Sequence, residues 1–492
     1  MYKFIASVIC SCLAQLLLAS ANPNFVVIFC DDLGYGDLSC YGQTKYKTPH
    51  LDQMAKEGVR FTDFSVASPG CSPSRAALLT GCLPARIGIN GVLGPQSKTG
   101  LSLQEETIPE ILAERNYVSA IVGKWHLGVE NLSPLNHGFA EYYGLPYSND
   151  MWPPRQPPLW MIKNHDPVRE IKTIADQDSL TSEYTTYAKD FIRRNRTRPF
   201  FLYLAHSMPH VPLGFGGRLA GKSGAGRYGD VIREIDWSTG EILKELKRQG
   251  LDAKTLVIFT SDNGPWLPYG NHAGSSGSLR EGKGTVFEGG VRVPCIARWP
   301  GKVPAGVTSD TFWTSVDILP TMARLSNASL PKEKIDGIDA TDVLFHRNSI
   351  PTQRTFPYYL WSGDLQALRW GRWKLHFPHL HRHQAEEPGR DGASSGEVQA
   401  TIELSLFDLM HDPGETRNLA QQYPDVVRRM HRIADYYRME LGDSSKKVTG
   451  RAVRAPGTVI FPTRLEYNLR LGRTDLVLVD KRALRTQMYQ AH

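Results

Sequence analysis

The chain has 492 residues, of which 41% are hydrophobic and 22% are charged. This length suffices for one large domain and a smaller one, and the composition is ordinary for a soluble globular protein. The formal net charge is +7, and ten Lys or Arg residues face only three acidic ones between Lys446 and His492. No nucleic-acid-binding motif accompanies this charge, which excludes nucleic acid as the expected partner and leaves a solvated extension or attraction to a polyanion.

The amino terminus has the pattern of a secretory signal peptide. A basic Met1-Tyr2-Lys3 precedes an apolar run over 4–18, and Ala19-Ser20-Ala21 fits a cleavage site. We expect removal of residues 1–21 and export to the periplasm, the extracellular space or the lysosome. An anchor helix is the alternative, but the run is short and interrupted. No later segment is apolar enough to span a bilayer, so we expect no transmembrane segment.

The cysteines and glycosylation motifs give weaker information. Five cysteines follow the leader, which excludes a disulfide-dense scaffold and leaves their pairing open. Three sequons, at Asn131, Asn195 and Asn327, matter only in a eukaryotic secretory pathway. The five cysteines are Cys30, Cys40, Cys71, Cys82 and Cys295.

The first two thirds of the chain alternate between strands and helices. Continuous apolar runs predict buried, mostly parallel strands over 24–29, 118–122, 200–204 and 255–260. Helical patterns precede the last three of these runs, over 107–115, 184–194 and 231–246. The expected fold class is therefore α/β.

The alternation of predicted strands and helices stops after roughly residue 350. Strands are expected over 368–377 and 404–409, a helix over 425–441, and a polar loop over 378–399. The domain prediction is a leader over 1–21, a large α/β domain over 22–350, a small antiparallel sheet with one helix over 351–445, and a basic extension over 446–492.

Each predicted strand of the first domain ends in polar, reactive residues. These are Asp31-Asp32, Lys124-Trp125-His126, His206 with His210, and Asp262-Asn263. Ligands of open α/β sheets bind beyond the carboxyl ends of the strands, so we expect the four groups to meet in one crevice. Three carboxylates and an amide together suit a hard cation, calcium or magnesium, rather than zinc.

The most informative run is Cys71-Ser72-Pro73-Ser74-Arg75-Ala76-Ala77-Leu78-Leu79-Thr80-Gly81. It predicts a helix that begins next to Cys71 and stops at Gly81, with Arg75 nearby. A group at that helix start would be favoured as an anion. Spacing alone leaves an ordinary buried cysteine as an equal alternative.

This run resembles the Cys-x-Pro-Ser-Arg motif of the sulfatase family. Further matches cover nearly the whole mature chain, and they are similar to the arylsulfatase A and N-acetylgalactosamine-6-sulfatase branch. The matching segments are Asp31-Asp32-Leu33-Gly34-Tyr35-Gly36-Asp37, Gly123-Lys124-Trp125-His126-Leu127-Gly128, Ser261-Asp262-Asn263-Gly264, Glu281-Gly282-Lys283-Gly284-Thr285 and Leu406-Phe407-Asp408-Leu409.

The resemblance implies that Cys71 is oxidised to formylglycine by a formylglycine-generating enzyme and acts through a covalent sulfated intermediate. It implies an alkaline-phosphatase-like fold with a large, mostly parallel sheet. It also implies that Ca²⁺, with Mg²⁺ the poorer fit, is held by residue 71 together with Asp31, Asp32, Asp262 and Asn263.

The same resemblance assigns further roles. Arg75 stabilises the ionised form of the modified residue, and Lys124 and Lys283 bind the sulfate oxygens. His126 assists deprotonation and His210 protonates the leaving oxygen. A sulfate contact is implied for Ser148, whereas His206 is expected to be structural.

Two features depart from the pattern. Position 82 is Cys, where many family members have Arg, which predicts a modest structural change. A cluster of histidines invites a zinc interpretation, but it lacks partners at the usual spacing, so solvated or substrate-facing histidines are expected. These are His376, His379, His381 and His383.

The sequence therefore predicts a sulfatase that hydrolyses sulfate monoesters, on a carbohydrate more than on an aryl group. Tryptophans that could stack on sugar rings support the carbohydrate. The alternatives are a phosphate or phosphonate ester hydrolase of the same superfold, and a catalytically silent homologue that binds sulfated glycans. The oligomeric state stays open. The tryptophans are Trp152, Trp160, Trp266 and Trp361.

Overall fold

The computed structural model describes residues 22–347, 353–385 and 387–460; the predicted leader and residues 461–492 of the basic extension lie outside them. The strands are β1 Asn24–Cys30, β2 Val59–Phe61, β3 Phe64–Ser65, β4 Thr99–Gly100, β5 Val118–Gly123, β6 Glu141–Gly144, β7 Leu159–Lys163, β8 Asp166–Ile171, β9 Phe200–Ala205, β10 Thr255–Ser261, β11 Cys295–Arg298, β12 Val307–Ser309, β13 Trp313–Thr314, β14 Thr355–Leu360, β15 Asp364–Trp370, β16 Trp373–His376, β17 His379–Gln384, β18 Glu397–Ile402, β19 Ser405–Asp408 and β20 Gly457–Thr458. The α-helices are α1 Pro49–Lys56, α2 Cys71–Thr80, α3 Ile108–Ala113, α4 Leu180–Arg194, α5 Gly226–Arg248, α6 Glu288–Val291, α7 Ile318–Ser326, α8 Thr341–Leu344 and α9 Pro424–Leu441.

A ten-stranded sheet forms the centre of the molecule, in the order β12-β2-β11-β10-β1-β9-β5-β6-β7-β8. Its central strands, from β10 through β6, are parallel to one another. Antiparallel pairings add β11 on one side and β7 and β8 on the other. The sheet is therefore mixed but mostly parallel, as the four continuous apolar runs predict.

Both faces of this sheet are covered, which explains why its strands do not alternate in polarity. Phe25, Val27 and Phe29 of β1 enter one hydrophobic cluster, together with residues of α2, α3 and α7. Val26 and Ile28 enter the other cluster, with residues of α1, α4 and α5. Side chains of a strand point alternately to the two faces, so each apolar residue meets a helix layer.

A second, antiparallel sheet has the order β14-β15-β16-β19, with α9 packed against β14 and β15. This confirms the predicted small sheet with one helix. The prediction of a single strand over 368–377 is wrong, because a turn with a positive φ of 55° at Gly371 separates β15 from β16.

The predicted loop over 378–399 is also wrong, because strands β17 and β18 form an antiparallel hairpin there. The strand was not predicted because its residues are polar, although alternate side chains point inward. The rings of His379 and His381 both approach Phe287, at centroid distances of 6.5 and 4.9 Å. The inward face of β17 is thus made of histidines rather than aliphatic residues.

Buried ion pairs join the small sheet to the first domain. Arg369 of β15 donates to both carboxylate oxygens of Asp63, just after β2. Lys374 of β16 lies 2.7 Å from Glu288 of α6, and it also lies 3.2 Å from Glu415 of the C-terminal region. Because buried charges are tolerated only when paired, the contacts with Asp63 and Glu288 hold the small sheet against the first domain.

Part of the predicted basic extension lies on the body of the protein. Strand β20 pairs with β4, and Arg454 donates from Nε to Glu105 at 2.7 Å. Its Nη2 also donates to the sulfur of Cys82 at 3.2 Å. A guanidinium therefore lies beside position 82, although that residue is itself a cysteine.

The five described cysteines are all free, so no disulfide links the described residues. Within the described ranges, every helix is too short or too polar to cross a membrane.

The three sequons differ sharply in accessibility, which allows a prediction. Asn131 and Asn195 are 6% and 1% exposed, and their amides donate to the carbonyls of Thr458 and Phe191. Asn327 is exposed at the end of α7. When the protein is produced in a eukaryotic secretory pathway, we expect N-glycan at Asn327 alone. Glycopeptide mass spectrometry measures this, with Asn327→Gln as control, and a glycan on Asn195 would contradict it.

Candidate active site

Helix α2 places Cys71 at the centre of the candidate site. Cys71 is the first residue of the helix, and Gly81, with φ of 68°, ends it by donating its N–H to Ala77. The predicted start and stop are thereby confirmed. The Cys71 side chain is 2% exposed, and its Sγ lies 3.3 Å from Oδ1 of Asp31.

The surroundings of Cys71 disfavour a thiolate. Burial raises the pKa of the Cys71 thiol well above its usual value, and the Asp31 carboxylate raises it further. Lys124 and Lys283 oppose this shift only in part. Since a thiol must ionise to act as a nucleophile, an unmodified cysteine is poorly suited to this position.

Three carboxylates meet next to Cys71. Asp31 and Asp32 follow β1, Asp262 follows β10, and these strands are parallel neighbours with Cys30 opposite Ser261. One oxygen from each carboxylate and Sγ of Cys71 all lie within 4.8 Å of one another.

Arg75 compensates much of this negative charge. It is fully buried, and its Nε and Nη2 donate to Oδ2 of Asp262 at 3.1 and 2.7 Å. Nη1 donates to the carbonyl of Lys124 at 3.1 Å. Arg75 follows Cys71 by four residues in α2, so both side chains lie on the same face of the helix.

The carboxylates remain crowded in spite of Arg75. Burial and the neighbouring Asp31 raise the pKa of Asp262 to about 7, against the opposing effect of Arg75. Burial acts in the same direction on Asp31, but Lys124 and His210 hold its pKa well below the usual value. A group of acids with one pKa raised and another lowered is typical of a functional site.

The residues present fit a hard cation. Among the described residues, both groups of side chains spaced for a metal ion lie here. The buried Oδ1 of Asn263 has no hydrogen-bond partner, while its Nδ2 donates to Asp32 at 2.8 Å. An orphaned amide oxygen beside three carboxylates is the donor set that calcium or magnesium prefers.

Two lysines reach the same carboxylates from separate loops. Nζ of Lys124 lies 2.5 Å from Asp31 and 3.1 Å from the hydroxyl of Ser148. Nζ of Lys283 lies 2.8 Å from Asp32. The position of Lys124 requires a glycine before it. At Gly123 φ is 116°, and a Cβ there would lie 1.8 Å from the carbonyl oxygen of Ala205.

Two histidines also belong to the site. His126 has a positive φ of 60°, and its Nε2 bonds to the carbonyl of Leu93, while its buried Nδ1 has no partner. A carbonyl only accepts, so Nε2 carries the proton and Nδ1 is free to accept one. Burial, helped by Lys124 and Arg75, lowers the pKa of His126 well below its usual value.

His210 is oriented the opposite way from His126, with Nε2 rather than Nδ1 toward the site. Its Nδ1 bonds to the carbonyl of Val211 at 2.6 Å, and its Nε2 lies 3.6 Å from Oδ2 of Asp32. By the same argument Nδ1 carries a proton, and Nε2 faces the carboxylates. The Trp266 ring lies 5.5 Å from the imidazole, between centroids.

Other histidines lie outside this group. His206 is fully buried and its Nε2 lies 3.3 Å from the hydroxyl of Ser238, as expected for a structural residue. His376 bonds to Glu415 at 2.8 Å. In the described part of the chain, no group spaced for a metal ion includes His376, His379, His381 or His383.

The sequence analysis missed Asp150. This exposed carboxylate follows Ser148 by two residues. The protein atoms around its carboxyl group partly displace water and raise its pKa, but His210, Ser148 and Lys124 together produce a net lowering, which places Asp150 in the electrostatic field of the site. A single Asp in a polar loop gave no signal, because its proximity to His210 arises only on folding.

Comparison with known proteins identifies the family of this chain. A Sulfatase family model matches residues 23–328, and a model of the C-terminal region of aryl-sulfatase matches residues 352–455. The chain belongs to the sulfatase family. It is therefore a hydrolase of sulfuric esters, and the phosphate ester alternative is set aside.

Relatives of this sulfatase extend over most of its length. It is 40% identical to arylsulfatase A of Bos taurus, over 84% of this chain and 87% of that one. It is 38% identical to N-acetylgalactosamine-6-sulfatase of Canis lupus familiaris, over 88% and 90%. The structure of the PsFucS1 sulfatase from Pseudoalteromonas sp. matches with a TM-score of 0.76 and 29% identity, over 88% and 94%.

The burial of Arg75 predicts a large effect on stability. Replacing Arg75 by Ala leaves Asp262 buried without its cation, so we expect a loss of about 3–5 kcal/mol in the free energy of unfolding. Denaturant unfolding measures this. Arg428, whose pair with Asp425 is exposed, is the matched control, and Arg428→Ala should cost less than about 1 kcal/mol. Equal losses in the two variants would contradict the assignment.

Proposed function

We propose that this sulfatase cleaves sulfate monoesters of carbohydrates at residue 71, after Cys71 is converted to formylglycine, with a calcium ion bound beside it. Asp31, Asp32, Asp262 and Asn263 would hold the ion. The observation that supports this most is the meeting of Cys71 with three carboxylate oxygens within 4.8 Å. A thiol there has a raised pKa, whereas a cation and an oxygen nucleophile suit the same surroundings.

The modified residue would supply an oxygen nucleophile, and the calcium ion a Lewis acid for the sulfate oxygens. The chain's own contribution is to hold residue 71 rigidly at the start of α2. Arg75, fixed by two hydrogen bonds to Asp262, keeps a permanent positive charge on the same helix face. It thereby stabilises negative charge at residue 71.

Binding of the sulfate group is assigned to Lys124, Lys283 and Ser148. Both lysines now pair with aspartates, and a sulfate ester offers them further anionic oxygens. The Ser148 hydroxyl, already 3.1 Å from Lys124, adds a neutral donor. Donors positioned in advance and shielded from water stabilise the charge that develops during sulfate transfer.

The two histidines are assigned opposite proton transfers. His210 would donate a proton from Nε2 to the leaving oxygen of the alcohol. This step requires the imidazolium form, in which both ring nitrogens carry a proton, because Nδ1 already donates to the carbonyl of Val211. His126 would accept a proton at Nδ1 from the hydroxyl of residue 71. The lowered pKa of His126 suits this role, because the neutral imidazole is the form that accepts a proton.

A carbohydrate is the favoured substrate for three reasons. A cleft of about 500 Å³ is lined by polar side chains such as Glu281 and His383 together with apolar ones such as Leu267, and its size is usual for small-molecule sites. A relative at 38% identity is named for N-acetylgalactosamine 6-sulfate. Trp266, 4.3 Å from Nζ of Lys283, offers a ring face for a sugar.

Maturation and export complete the proposal. Cys71 is 2% exposed in the folded chain, so a formylglycine-generating enzyme must act before folding is complete. The signal-peptide pattern over residues 1–21 would bring the unfolded chain into an exported compartment where this oxidation takes place.

Two measurements test the assignment of residue 71. Peptide mass spectrometry of protein from a host with formylglycine-generating activity should detect an aldehyde in place of the thiol. Cys71→Ala should abolish release of sulfate, a loss of at least about a thousandfold, because the nucleophile is removed.

The matched control is Cys40→Ala, because Cys40 is also a free cysteine but is not part of the site; it should retain activity. An unmodified thiol in active enzyme, or near-native turnover by Cys71→Ala, would overturn the mechanism.

A further inference from the structure

A group of side chains from the small sheet borders the catalytic site. Trp361, directly after β14, packs against Gly70, which precedes Cys71; a Cβ on Gly70 would lie 2.7 Å from its Nε1. The same indole lies beside Gly284, the neighbour of Lys283, where a Cβ would be 3.5 Å away. Trp361 therefore lies between the nucleophile loop and the loop of one sulfate-binding lysine.

Arg382 of β17 is held on this tryptophan. Its Cζ lies 4.2 Å from the centroid of the Trp361 ring, and its Cδ would be 3.4 Å from a Cβ on Gly284. The Arg382 side chain is nevertheless 36% exposed. A planar guanidinium on an indole face is restrained in orientation while its edge remains open to solvent.

The positive charge of Arg382 is only partly neutralised within the protein. Its Nη1 lies 2.9 Å from Oε2 of Glu397, which is its carboxylate partner among the described residues. Such a half-exposed pair contributes little to stability. An anion from outside can therefore share or replace this contact at low cost.

Glu397 links Arg382 to the other side of the site. It accepts a hydrogen bond from Nε1 of Trp266 at 3.4 Å, and Trp266 lies under Nζ of Lys283. We call Trp266, Trp361, Arg382 and Glu397 the rim. Lys283, Arg382 and Glu397 also line one small pocket together, so the rim and the sulfate site are continuous.

We propose that the rim is a subsite for a second anionic group of the substrate, a carboxylate or a further sulfate on the sugar that bears the scissile sulfate or on its neighbour. Arg382 donates charge-assisted hydrogen bonds to that group, and Trp361 fixes the guanidinium plane. The inference rests on the proposed function, and it narrows the substrate class from sulfated carbohydrates to those with two or more negative groups.

Binding to catalytically inactive protein tests this directly. Calorimetry on the Cys71→Ala protein would compare a monosulfated N-acetylhexosamine, a disulfated hexosamine, and a monosulfated disaccharide that contains a uronate. We expect Arg382→Gln, introduced into Cys71→Ala, to weaken binding of a second-anion ligand by on the order of 10- to 100-fold. For the monosulfated N-acetylhexosamine, the factor by which affinity falls should be at least about tenfold smaller. The disulfated hexosamine and the uronate-containing disaccharide show whether the second anionic group is a sulfate or a carboxylate.

Arg372 provides a matched control, since it also stacks on a tryptophan, at 4.7 Å from Trp373, and is 42% exposed beside Asp408. Arg372→Gln should leave all three affinities unchanged. Equal loss for every ligand, or no loss for either second-anion ligand, would overturn the subsite.

Turnover separates this result from the proposed function. With the active enzyme, Arg382→Gln should raise KM for the second-anion substrates more than it lowers kcat, and should affect 4-nitrophenyl sulfate less. If the unsubstituted enzyme hydrolyses none of these sulfates, the proposed function fails, and the affinities of the Cys71→Ala proteins still decide the subsite.

Discussion

The rest of this structure depends on the burial of three carboxylates in one place. Asp31, Asp32 and Asp262 are at most 3% exposed, and adjacent parallel strands bring them together. Carboxylates repel one another and lose their hydration when they are buried, so they require cations. Arg75 meets this requirement from α2, and Lys124 and Lys283 meet it from two loops. The positions of the helix and of both loops therefore follow from one electrostatic condition.

The same condition connects the fold to catalysis. In the proposed function, the positive charges that neutralise the aspartates would also bind the sulfate ester, so the protein would be organised for an anion before substrate arrives. Backbone strain accompanies this organisation, because Asp32 and His126 adopt positive φ values of 65° and 60°. Such conformations cost free energy, about 1–3 kcal/mol each, and persist where the surrounding structure holds them. The small sheet extends the site outward, since Trp361 packs against the residue that precedes Cys71.

The sequence predicted the parts of this arrangement that local chemistry determines. Buried parallel strands read as continuous apolar runs, and the polar residues at their ends converge because parallel strands share one edge. Features that depend on contacts between distant segments were not predictable. The hairpin of β17 and β18 was hidden because histidines occupy its inward face. The contact of Arg454 with Cys82 joins residues that are remote in sequence, and Asp150 acquires its importance only from the neighbours that folding gives it.

The decisive measurement is a crystal structure of active enzyme, produced with formylglycine-generating activity and grown with calcium and sulfate. We expect one calcium ion bound by oxygens of Asp31, Asp32, Asp262 and Asn263. We also expect an oxygen function in place of sulfur at residue 71, and sulfate in contact with Lys124 and Lys283. An intact thiol at residue 71, with no ion among the carboxylates and both lysines still paired only with aspartates, would contradict it.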